Sequence, residues 1–238
     1  MADNWSEQQM AQQTTAQTGV FDEGLRIYMN KVYSHMAMGL LGTALAAYIG
    51  AASGLYLALA QTPFIWLLVL APVGMVLFLS ARMHALKAGT AQNLFYLYAG
   101  LTGLSLSYVL LAYTGVSVVR TFLVTAASFG ALSLYGYTTK RDLSGMGSFL
   151  FMGLIGIILA SIVNFFLQSS ALHFAVSVIG VLVFAGLTAY DTQDIKRIYY
   201  AGDTREVAEK KAILGALRLY LDFINMFILL LQFMGNRD

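Results

Sequence analysis

Three acidic residues of this chain lie in or beside long apolar runs: Asp191 and Asp194 in AYDTQDI, and Asp222 in LYLDFINMF. The other nine acids fall in tails or connections. A charge at the centre of a membrane-crossing helix costs about 2.5–3.5 kcal/mol on insertion scales, so an ionisable group kept there marks an ion or proton path. Two carboxyl groups brought together in a low-dielectric site cannot both ionise cheaply, and they share a proton. Such a pair joins two helices through a contact that depends on pH. An ion-pair reading stands beside this one. Arg218 lies four residues before Asp222 on the same helical face and could neutralise it, and Lys196 or Arg197 could serve Asp191 or Asp194.

The elements that carry these groups are membrane spans. The 238 residues are 58% hydrophobic and 11% charged, with a mean hydropathy of +0.70. A soluble domain carries about 25% charged residues. A bilayer crossing needs about 20 apolar residues, and seven stretches qualify: Val32 to Ser53, Phe64 to Ala81, Ala91 to Tyr113, Val116 to Tyr137, Phe149 to Gln168, Leu172 to Tyr190 and Ile213 to Met234. Residues 1–24 read as a disordered cytoplasmic tail, polar, rich in Gln, Thr and Ala, and without the basic and apolar regions of a cleaved signal peptide. Residues 25–238 read as a seven-helix transmembrane domain, with the lipid bilayer as its first partner.

Basic residues set the expected orientation. Eleven lie in segments that alternate to one side: Arg26, Lys31, Arg82, Lys87, Lys140, Arg141, Lys196, Arg197, Arg205, Lys210 and Lys211. Arg120 and Arg237 lie on the other side, and Arg218 lies within the last span. The positive-inside rule then places the N-terminus in the cytoplasm and the C-terminus outside. The connection between spans six and seven opens a helix, with Asp203 as its cap and Glu206 three residues later. GAASG, Gly50 to Gly54, offers a small-residue contact between helices.

Spans six and seven run antiparallel, so depths can be compared. Asp191 lies about 8 Å inside if helix six meets water at Lys196 or Arg197, and Asp222 about 12 Å inside if helix seven enters near Leu214, at 1.5 Å per residue. The two carboxyl groups come within one side-chain length. Calcium takes six to eight oxygen ligands, and this interior offers two or three, so the acids suit a weak, transient calcium contact at Asp191 and Asp222 and no resident metal. His35, His84 and His173 lack metal-ligand spacing, and Asn164 and Gln168 read as interhelical hydrogen-bonding groups. The net charge of +2 gives no nucleic-acid signature, and there is no cysteine. No nucleophile elbow, zincin motif, phosphate loop or dinucleotide fingerprint is present. The expectation is a protein that is not an enzyme and needs no cofactor.

AYDTQDI (Ala189 to Ile195) at the end of span six, followed by LYLDFINMF (Leu219 to Phe227) in span seven, resembles the paired signatures of the Bax inhibitor family. The stretch from Ser133 to Phe165 is similar to that family's bacterial branch, and the resemblance runs from about Gly24 to the end. It implies an all-α polytopic membrane protein of seven transmembrane helices, with the C-terminal helix central and wrapped by the other six. It also implies a pH-sensitive calcium leak in a bacterial inner membrane, with Asp191 and Asp222 as the pH sensor. In some members a basic residue near the cytoplasmic end of the second helix helps to hold the gate, and Arg82 is the positional match. Asp194 and Arg218 are the other candidate gate partners. This chain departs from members that carry an acid in the second helix, since Phe64 to Ala81 contains none. Some bacterial relatives are associated with regulating a membrane-bound protease, which gives the alternative of a membrane-embedded binding module with the N-terminal tail as its docking element.

Overall fold

The computed structural model describes the backbone of residues 2–83 and 85–236, with side chains from residue 23 onward. His84 and the tail expected over residues 1–24, apart from Glu23 and Gly24, lie outside the residues whose side chains are described. Among the described residues the regular structure is all helical: α1 (Ala2–Ala52), α2 (Leu55–Ala60), α3 (Phe64–Arg82), α4 (Ala88–Ser105), α5 (Ser107–Ala112), α6 (Gly115–Thr138), α7 (Ser144–Leu167), α8 (Ser170–Arg197) and α9 (Arg205–Met234). Seven stretches are long and apolar enough to cross a membrane: the part of α1 from Glu23 to Ala52, α3, the α4–α5 pair, α6, α7, α8 and α9. They match the seven spans read from the sequence, and several extend farther at their ends.

The helix α9 forms the centre. Ile213, Ala216, Leu219 and Tyr220 are fully buried, and Leu217, Met226 and Leu231 nearly so. It packs against α1, α4, α6 and α8. The expected wrapping by six helices takes a layered form: α3 lies mainly against α4, and α7 against α8. These two outer helices present exposed Phe64, Trp66, Leu67, Phe149, Met152 and Phe166. In water such a surface would drive aggregation; in a bilayer it faces hydrocarbon at no cost.

Local details set the ends of the helices. Gly54 has φ 73°, a left-handed conformation open to glycine, and it turns the chain out of α1 into α2. Gly50, its partner in GAASG, is a true close-contact position, because a Cβ there would collide with Ser107. The third span is interrupted at Leu106, beside Ser105, whose hydroxyl donates to the Leu68 carbonyl at 2.5 Å. At the start of α9 the cap is Thr204, accepting from the Val207 N–H at 3.3 Å. Asp203, expected to cap this helix, instead accepts from Lys211 at 2.5 Å. The cation nearly two turns inside the helix takes the carboxylate, and the next residue supplies the capping oxygen. Asn164 and Gln168 also act locally: Asn164 accepts from the Ser169 N–H at 3.0 Å, and Gln168 ends α7 with φ 51°.

Candidate functional site

The signature AYDTQDI forms the last turns of α8, and each of its polar residues has a different neighbour. Tyr190 lies over Gly147 of α7, where a Cβ would approach its ring to 2.6 Å. Asp191 turns toward α9 and meets Asp222 within hydrogen-bonding reach. Thr192, fully buried, donates to the Thr188 carbonyl at 2.7 Å. It is joined to Ser133 of α6 at 3.0 Å, and Ser133 to the Tyr33 hydroxyl of α1 at 2.7 Å. Since the Thr192 proton is used within α8, Ser133 donates to Thr192 and Tyr33 donates to Ser133. Gln193 grips the α6–α7 connection, donating to the Arg141 carbonyl at 2.8 Å and accepting from the Leu143 N–H at 2.9 Å. Four consecutive residues thus fasten α8 to α7, α9, α6, α1 and a loop.

The carboxyl groups of Asp191 and Asp222 face each other where α8 packs against α9. Asp222 is 4% exposed, and its Oδ2 has no hydrogen-bond partner. A second tier lies one turn nearer the connection between the two helices. Arg218 of α9 donates to Asp194 of α8 at 2.5 Å, with side chains 39% and 31% exposed. Arg218 also faces both members of the carboxyl pair. The ion pair expected between Arg218 and Asp222 is therefore made across the helices to Asp194.

The other basic candidates are occupied elsewhere. Arg197 donates to Asp142 at 2.7 Å and to the Ser144 hydroxyl at 2.5 Å. Asp142, in the α6–α7 connection, also accepts from the Ser144 backbone N–H at 2.9 Å; these donors hold its carboxyl down at about 2, the backbone bond contributing most. Lys196 donates to the Tyr137 carbonyl at 2.9 Å. Arg82 closes α3 in an exposed position, on a helix that packs mainly against α4; the fold does not bring it to the acids. His35 is a linker between helices, contacting Tyr96 of α4 and Glu209 of α9, each at 2.9 Å, and Glu209 also accepts from Lys31 at 2.7 Å. Among the described residues no group of three His, Cys, Asp or Glu is placed to hold a metal.

Sequence reasoning missed Gln193 and the Tyr33–Ser133–Thr192 chain. Their signal lies in the position of Thr192 and Gln193 beside Asp191: an uncharged polar pair in an apolar helix end needs partners once buried.

The chain is similar in sequence to known proteins. The family described as "Inhibitor of apoptosis-promoting Bax1" matches residues 25–238, which include all of the site. The inner membrane protein YbhL of Escherichia coli is 54% identical over 218 residues, covering 90% of this chain and 93% of YbhL. The uncharacterized protein RP147 of Rickettsia prowazekii is 52% identical over 225 residues, covering 94% of this chain and 95% of that protein. An uncharacterized membrane protein of Streptococcus pyogenes is 37% identical over 220 residues, covering 91% and 96%. The chain, a seven-span membrane protein with a carboxyl pair between α8 and α9, belongs to the Bax inhibitor family.

Proposed function

We propose that the protein is a passive, pH-sensitive cation leak of the bacterial inner membrane, with calcium as the permeant ion and the proton shared by Asp191 and Asp222 as its gate. The observation that carries this reading is the carboxyl pair itself, held between the central helix and α8 with one oxygen of Asp222 unpartnered. Removing the shared proton leaves two negative charges in contact, and α8 and α9 must then separate, bind a cation or draw on Arg218. A site with two or three carboxylates binds a hard divalent cation weakly, which suits conduction, since an ion must also leave. This is transport without covalent chemistry and without a cofactor. The name of the similar Escherichia coli protein supports the inner membrane as the location. The excess of basic residues on one side supports a cytoplasmic N-terminus and an external C-terminus.

The test is calcium flux into liposomes containing the purified protein, at pH 6 and pH 8, for the wild type, Asp222→Asn and the Asp191→Asn/Asp222→Asn double variant. Flux that depends on the protein and varies with pH, with the variation lost in both variants, is the expected result. Flux no greater than that of empty liposomes at either pH would overturn the proposal. The alternative, a module that regulates a membrane protease through residues 1–24, would then lead, and deletion of residues 2–20 would abolish that regulation.

A further inference from the structure

A second feature lies away from the acids, along the seam between α1 and α6. Both helices pack against α9, but not closely against each other. The seam holds two cavities. One, of about 570 Å³, lies where the membrane part of α1 begins and α6 ends, and its polar lining comes from Arg26, Asn30, Tyr33, Ser133 and Tyr137. The other, of about 260 Å³, lies farther along the same two helices between Leu40, Ala44, Val119, Phe122 and Phe227. The floor between them is aromatic: the Phe223 ring of α9 stands edge-on to Phe122 at 5.6 Å and to Phe129 at 5.5 Å.

The charge at the two ends differs. The mouth of the larger cavity carries Arg26, whose ion pair is to Glu23 one turn earlier, with both side chains more than half exposed. Lys140 and Arg141 follow the end of α6 and are exposed, and the Lys196 ammonium sits 4.9 Å from the Tyr137 ring centre. The smaller cavity is almost wholly apolar, Thr43 being the polar residue in its lining. Its flanks are exposed Leu41 and Leu45 of α1 and Leu123 of α6, so the seam opens sideways toward hydrocarbon. From Tyr33 to Leu40 is seven residues, and from Phe129 to Phe122 also seven, about 10 Å of helix each. From Tyr33 to Thr43 is about 15 Å, the depth of one leaflet of a hydrocarbon core about 30 Å thick.

We infer that this seam seats one anionic phospholipid, its phosphate at Arg26 and Asn30 and one acyl chain laid across Phe223 into the apolar cavity. The basic mouth supplies the charge complement, and the exposed Glu23 pair is weak enough to yield to a phosphate. A polar, basic mouth and an apolar cavity open toward hydrocarbon together suit an amphiphile, and the spacing of the two cavities matches the depth of one acyl chain. The occupied seam would fix α1 against α6 beside the Tyr33–Ser133 hydrogen bond.

Native mass spectrometry of the detergent-purified protein, titrated separately with phosphatidylglycerol and with phosphatidylcholine of equal chain length, tests this. The wild type should retain one phosphatidylglycerol and prefer it over phosphatidylcholine by about fivefold, the effect of one basic residue near an anionic headgroup. Arg26→Gln should abolish the preference. Ala44→Trp, which fills the apolar cavity from an exposed position, should weaken both lipids while leaving thermal unfolding unchanged; Val119→Trp on the facing wall gives the same reading should Ala44→Trp fail to fold. Equal retention of the two lipids by the wild type, or retention unaffected by the tryptophan, would overturn the inference and mark the lipid as annular. A dimer that excludes lipid would also overturn it and make the seam a self-association face.

Discussion

Arg218 faces three acids, and that asymmetry gives a quantitative prediction. It donates to Asp194 at 2.5 Å and lies close to both Asp191 and Asp222. Replacing it with Gln removes the cation that holds this cluster together and leaves three carboxyl groups within about one turn of each other. Exposed ion pairs contribute about 0–1 kcal/mol, whereas breaking a fully buried pair costs about 3–5 kcal/mol. Here the two side chains are 39% and 31% exposed, so solvent screens part of the loss, and Arg218→Gln should cost about 2 kcal/mol. Asp194→Asn should cost less than about 1 kcal/mol, because Arg218 keeps two other carboxyl partners. Thermal unfolding in one detergent at neutral pH, with the double variant completing the cycle, measures both. Equal losses for the two single variants would refute the reasoning, since Arg218 and Asp194 would then act as an isolated pair.

Two further outcomes are expected. A Cβ at Gly136 of α6 would collide with the Ala189 backbone of α8, which no rotamer change relieves, so Gly136→Ala should destabilise by about 1–3 kcal/mol. Gly130→Ala on the same helix meets nothing within 4 Å and should instead stabilise by about 0.5–1 kcal/mol; similar melting shifts for the two would contradict the close approach of α6 and α8. Asp142, with its carboxyl lowered to about 2, contributes stability that is present above its ordinary value of 3.8 and lost only as pH falls toward 2. Asp142→Asn should therefore leave the pH dependence of flux between pH 6 and pH 8 unchanged, and a flattened profile would place this loop in the gate.

The spans were legible because length and apolarity are one-dimensional properties. The meeting of Asp191 and Asp222 was legible because two antiparallel helices joined by a short connection have depths that can be counted. The partner of Arg218 was less so. Spacing places it near Asp222 along one helix, but the choice of Asp194 depends on how α8 is rotated against α9, which no single-helix count contains. The break at Leu106 has no Gly or Pro at the break itself, and its relation to Leu68 is a tertiary contact. Arg82 matched by position along the chain, yet α3 lies in the outer layer, one helix removed from the acids. Thr204 displaced Asp203 as cap because Lys211, two turns along α9, takes the carboxylate.

The layering of the bundle bears on how such a protein diverges over generations. A residue on the outer face of α3 or α7 answers only to hydrocarbon, which asks that a side chain be apolar and is indifferent to its shape. A residue of α9 answers to four neighbouring helices at once. Drift is therefore nearly free at positions such as Leu67 or Phe166, and each accepted change there leaves no mark on the rest of the molecule. At Tyr220, with its hydroxyl 2.6 Å from Thr43 and its ring against Phe95 and Tyr98, a change has to be matched by others on α1 and α4. Distant kin should thus stay recognisable from α8 and α9 long after their outer helices have become unalignable.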